Sequence, residues 1–137
     1  MEIDDKVYYQ EVHYKYVTTR TVTYRTNIYP VEEIRTRFII LTPEGLLTID
    51  RGYAWDGASG PAMDSKTNMR ASLIHDALIQ LVQTGLLDKS WKMQIDLEYF
   101  RVARQDKMWH IRAGIELIAI QGHDWEETKT SEEMIAP

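Results

Sequence analysis

Cysteine is absent from this chain of 137 residues. That excludes disulfides, zinc-thiolate sites, iron-sulfur clusters and a thiol nucleophile, and leaves His and carboxylates as the only residues from which a metal site can be built. No apolar run approaches the roughly 20 residues of a membrane span. The opening segment, Met1 to Tyr9, is acidic and then aromatic and lacks the basic and apolar regions of a secretion signal, so a soluble protein made in the cytoplasm is expected. A basic excess is missing as well. The net charge is −5: residues 1–60 carry nine acidic and seven basic side chains, 61–121 seven and eight, and 122–137 five and one. Without a basic stretch to release counterions from phosphates, nucleic acid is not an expected partner.

What is present fits one domain of ordinary size. Lys6 to Tyr29 is rich in Tyr, Val and Thr, and Val12, Tyr14 and Tyr16 alternate with His13, Lys15 and Val17. This period of two, in strong β formers, predicts one or two antiparallel strands. Arg37–Thr42 and Leu46–Ile49 are apolar runs joined by Pro43-Glu44-Gly45, the chemistry of a hairpin, because proline presets φ and glycine accepts positive φ. The second strand then delivers R-G-Y-A-W-D-G-A-S-G-P, Arg51 to Pro61.

Three helices are expected after that loop. The first, M-R-A-S-L-I-H-D-A-L-I-Q-L-V, spans about 67–84, is capped by Ser65, Thr67 or Asn68 and ends at Gly85; its apolar residues cover more than one face, so it is largely buried. The second covers about 90–106 with Ser90 as its cap, and the third, more apolar and at the back of the core, covers 108–121. The expected fold is therefore α+β, an antiparallel sheet from residues 7–53 against three C-terminal helices, in a single domain of residues 1–125. Residues 126–137 are acidic and aperiodic, and a disordered tail is expected there.

The chemistry concentrates in the loop and the first two helices. Asp56 and Ser59 are the polar side chains of a glycine-bounded loop, with Trp55 beside them. His75 and Asp76 are adjacent on an apolar helix, and a buried histidine and carboxylate must be satisfied there. Asp96 lies at the edge of the second helix's apolar stripe. Asp56, His75, Asp76 and Asp96 form the candidate catalytic set, with Trp55 and Ser59 as binding residues and His75, Asp76 and Asp96 as ligands of a divalent metal, Zn, Mn or Mg. A serine nucleophile is disfavoured, because Ser59 has Gly57 two residues before it but Pro61 two residues after it. The internal alternative is a structural network, with Asp76 bonded to backbone or Ser72 and His75 donating to the loop.

The order of strand, G-Y-x-W-D-G-A-S-x-P, a helix with A-S-L-I-H-D-A-L and a helix with I-D-L-E-Y-F resembles a family of small proteins of unassigned function from tailed bacteriophages and prophages. The resemblance covers roughly residues 50–100. It carries over Asp56, Ser59, Pro61, His75, Asp76 and Asp96; Gly60, Ala77, Ile79 and Ile95 depart from the family's usual residues. It implies a phage origin, a place in the host cytoplasm or the virion, and a host or virion protein as partner. Two functions are expected from the whole: a metal-dependent hydrolase, or a non-catalytic virion or assembly component or inhibitor of a host defence.

Overall fold

The strands form two small antiparallel sheets that meet at a corner, and the helices pack against them. The computed structural model describes residues 9–10, 16–57, 68–108 and 110–121; Ser59, Pro61, the proposed caps Ser65 and Thr67, and the acidic segment 126–137 lie outside the described residues. Strands β1 (Tyr9–Gln10), β2 (Tyr16–Thr18) and β7 (Ala54–Trp55) make one sheet in the order β1-β2-β7. Strands β3 (Val22–Arg25), β4 (Ile34–Arg35), β5 (Ile39–Leu41) and β6 (Leu46–Ile49) make the other, in the order β3-β6-β5-β4.

Thr18 is the corner. Its N–H donates to Tyr53 O at 2.9 Å, its carbonyl accepts Gly52 N–H at 2.8 Å, and its hydroxyl donates to Asp50 O and accepts Tyr53 N–H. This buried threonine carries the pairing from one sheet to the next, and Gly52, at φ +93°, supplies the turn that a side chain would strain. The expected antiparallel sheet is thus present, built as two sheets joined through one residue.

Alternation sets the inner face of the larger sheet. Val22 pairs with Ile49 and Tyr24 with Leu47, and these four side chains with Ile34, Ile39 and Leu41 are buried. The β5–β6 hairpin turns where Pro43-Glu44-Gly45 predicted it, with Gly45 N–H bonded to Thr42 O at 2.9 Å and Gly45 at φ +92°. A Cβ on Gly45 would stand 2.7 Å from Thr26 O, so the absent side chain lets segment 26–29 lie on the turn.

Helix α1 (Met69–Gln83) is buried on several faces, from Leu73 and Ile74 to Leu78 and Leu81, as its apolar pattern requires. It touches the sheets through Tyr53 Oη, which donates to Gln80 Oε1 at 2.8 Å, and Trp55 Nε1, which donates to Ser72 Oγ at 3.1 Å. Gly85 at φ +79° ends it: Leu86 N–H returns to Leu81 O and Gly85 N–H to Val82 O, each at 3.0 Å, the paired bonds that satisfy a helix's last carbonyls.

Helix α2 (Lys92–Gln105) is entered through a 3-10 turn, Lys89–Trp91. That turn is capped by Asp88 and not by the expected Ser90, and α2 itself starts after Trp91 with no side-chain cap bond. The Asp88 carboxylate accepts Ser90 N–H at 2.8 Å, because Asp88 is extended and its side chain reaches the N–H two residues on.

Helix α3 (His110–Gln121) turns Ala113, Glu116 and Ile120 inward while Ile115 and Ile118 are exposed. Its inward face is therefore less apolar than composition suggested. Tyr99 Oη draws Glu116 in by donating to it at 2.6 Å.

Candidate functional site

His75 and Asp76 sit mid-way along α1 and Asp96 one turn into α2, where the two helices pack together. His75 Nε2 donates to Asp96 Oδ1 at 2.8 Å. Asp76 Oδ1 stands 3.9 Å from the other ring nitrogen, Nδ1. The imidazole thus lies between two carboxylates and shows each a different nitrogen. Lys92, four residues before Asp96 and so on the same face of α2, donates its ammonium to Asp96 Oδ2. The edge of the Tyr99 ring completes the surroundings, 5.9 Å from the imidazole and nearly perpendicular to it.

Burial grades across this cluster. The side chain of Asp96 is 2% exposed, His75 12%, and Asp76 20%. Burial alone pushes the imidazole toward its neutral form, but the hydrogen bonds and charges of Asp76 and Asp96 outweigh it, and the His75 pKa is raised above its ordinary 6.5. The charges agree with this. With the imidazole protonated, two cations (His75, Lys92) face two anions (Asp76, Asp96); with it neutral, the cluster holds an excess negative charge in a half-dry setting.

The other expected site residues are placed as follows. Trp55 is fully buried in β7, beside the ring of Tyr16 at 5.5 Å, so its indole anchors the loop's start to α1 and is core rather than a surface for ligand. Asp56, the next residue, is half-buried. Ser72 does not serve Asp76; it accepts from Trp55 and donates to Met69 O. Ser59 lies outside the described residues. Sequence reasoning missed Lys92 and Tyr99, although both stand at helical spacing from Asp96 in K-M-Q-I-D-L-E-Y.

One imidazole with carboxylates is the donor chemistry of a Zn, Mn or Mg site, and His75 Nε2 and Asp96 Oδ1 converge as two such donors do. Asp76 stands on the opposite nitrogen, and Lys92 holds the second oxygen of Asp96. Among the described residues no group of three or more His, Asp or Glu side chains is placed to hold a metal ion, and no helix is long and apolar enough to cross a membrane. Compared with known proteins, the chain matches no family, no curated protein and no solved structure.

Proposed function

We propose that this chain is a small phage-encoded hydrolase whose reaction centres on His75. The observation that carries the reading is the graded Asp96–His75–Asp76 line: a buried carboxylate, itself fixed by Lys92, orients the imidazole through Nε2, and the opposite nitrogen faces the more exposed Asp76. An imidazole held by a buried carboxylate on one nitrogen and facing a more exposed carboxylate with the other has an arrangement suited to proton transfer. The pKa of His75 is raised by Asp76 and Asp96 against the effect of burial, which favours the imidazolium as the acid that gives a proton to a leaving group, and Asp76, beside Nδ1, stands where it can orient a water. Asp96 keeps the ring in place and balances its charge.

The proposal includes a divalent cation. His75 and Asp96 are the two donors that would hold it, the other positions being left to water or substrate, and such an ion would supply acidification of bound water. Because His75 binds a cation only when deprotonated, uptake would release a proton and tighten as pH rises.

A second reading has its own support. Asp96 already accepts from both His75 and Lys92, so the same residues serve equally as a structural tie between α1 and α2 in a non-catalytic virion, assembly or host-inhibiting protein. The two readings part on one experiment, thermal melts of the wild type and His75→Ala with added Mn²⁺, Zn²⁺ or Mg²⁺ and with chelator. The hydrolase reading expects a cation to raise the wild-type melting temperature and not that of His75→Ala. A mutant destabilised by about 1–3 kcal/mol, from Asp96 left with one partner, equally with and without cations, and a wild type indifferent to them, would refute the metal-dependent reading.

A further inference from the structure

On the side of the molecule formed by β4 and the α1–α2 turn lies an open groove of about 770 Å³ that shares no residue with the His75 cluster. One wall is segment 29–35 and the other is the stretch from Leu86 to Trp91. Both walls are fixed. Thr26, at the base of the first, bonds Gly45 O through its N–H and its hydroxyl, each at 2.8 Å; the second is set by the paired bonds after Gly85 and by the Asp88 cap.

Large apolar side chains stand out into this groove, with Tyr29 51%, Val31 97% and Leu86 51% exposed, and Trp91 lines it as well. Its charged lining is Glu32, Glu33, Asp88 and Arg35. Arg35 is engaged by Glu33 at 3.2 Å, which leaves the carboxylates of Glu32 and Asp88 as its net charge. β4 is also the edge of its sheet. Thr36 N–H bonds Ile39 O, so by the alternation of antiparallel pairs Arg35, opposite Ile40, turns its backbone N–H and C=O away from β5 toward the open edge.

We propose that this groove binds an extended, cationic segment of a partner protein, which adds beside β4, seats apolar side chains on Val31, Leu86 and Tyr29, and brings Lys or Arg side chains to Glu32 and Asp88 over the Trp91 ring. Edge-strand addition supplies backbone bonds, and alternate side chains reach the groove. An aromatic ring beside carboxylates favours a cation over an anion or a neutral group. The chain's own ends do not fit: residues 1–15 carry four acidic and two basic side chains, and 122–137 five and one, so both would be repelled.

The test uses the full chain and two fluorescent octapeptides of alternating sequence, one of Arg and Leu and one of Glu and Leu, with binding read by anisotropy at low and high salt. Saturable binding of the Arg peptide alone is expected, weakened by salt and reduced at least tenfold in a Glu32→Lys, Asp88→Lys variant. Asp88 also caps the turn before α2, so that variant should melt somewhat below the wild type; Glu32→Lys alone, at an exposed position, should melt as the wild type does and still weaken binding of the Arg peptide. Leu86→Ser, which removes the apolar contact and adds no charge, should weaken binding without changing the salt dependence. Equal binding of both peptides, no binding of the Arg peptide, or binding untouched by charge reversal would overturn the proposal. So would reversible self-association in sedimentation that Leu86→Asp abolishes, which would make the occupant a second copy of this chain.

Discussion

Replacing Glu98 should unseat the sheet from the helices. Glu98 is fully buried on α2 and accepts four hydrogen bonds. Oε1 takes Tyr24 Oη at 2.8 Å and Arg101 Nη2 at 2.7 Å; Oε2 takes Asn27 N–H at 2.8 Å and Gln94 Nε2 at 3.0 Å. Tyr24 cannot escape by ionising, because burial first and the Glu98 charge second push its phenol well above the ordinary value. An amide in place of the carboxylate keeps one acceptor and turns a donor toward the other pair. The less costly orientation keeps Tyr24 and Arg101, lets Gln94 rotate, and leaves Asn27 N–H unpaired. With the charge lost to Arg101, Glu98→Gln should cost about 2–3 kcal/mol. Glu98→Ala removes every bond and leaves a charged neighbour; since Arg101 is partly exposed, the cost should fall near the lower end of about 3–5 kcal/mol. At this size the alanine variant should lose roughly 10 °C in Tm. Urea unfolding of Glu98→Gln, Glu98→Ala, Tyr24→Phe and the Glu98→Ala, Tyr24→Phe double variant checks both the magnitude and the coupling. A loss below about 1 kcal/mol for Glu98→Ala would refute the reasoning.

The remaining expectations are narrower. Since the folded-state pKa of His75 is raised above 6.5, its protonated form contributes stability that is whole below the unfolded pKa and is lost as pH climbs through the folded one; the gap between wild type and His75→Gln should therefore shrink as pH rises above 6.5, and a gap that grew would contradict the cluster of Asp76, Asp96, Lys92 and Tyr99 around the ring. Gly85→Ala meets nothing within 4 Å and should cost only the positive φ, about 1–2 kcal/mol. Gly45→Ala must also displace Thr26 O, 2.7 Å from the new Cβ; equal losses for the two in chemical denaturation would show that the hairpin yields freely.

Much of the fold was legible because its signals are local. Pro43-Glu44-Gly45 chose its hairpin by backbone conformation alone, and Gly85 ended α1 for the same reason, so neither depended on distant contacts. The Thr18 corner was not legible. It rests on bonds from residue 18 to residues 50, 52 and 53, and a threonine among threonines carries no mark of that. Trp55 was misplaced for a related reason: next to Asp56 and two glycines it reads as loop, whereas its pairing with Tyr16 makes it strand and core. The side-chain cap falls on Asp88, at the 3-10 turn before α2, rather than on Ser90, because both residues are good caps and the extended backbone at Asp88 decides between them.

The site shows the same limit in sharper form. I-D-L-E holds two carboxylates two residues apart, about 200° around a helix, and each is the middle of a stripe of identical spacing: Lys92, Asp96, Tyr99 and Gln94, Glu98, Arg101. By sequence either could border the apolar face, and both are in fact buried. Their partners separate them. Glu98 meets an arginine and a phenol whose pKa is driven further up, so nothing in contact with it exchanges a proton near neutral pH, and the stripe is a fixed tie. Asp96 meets a histidine whose second nitrogen faces the more exposed Asp76, and of the two stripes this is the one that the proposed proton transfer uses. That asymmetry, rather than the presence of a His-Asp dipeptide in an apolar helix, is why the proposed chemistry is centred on His75.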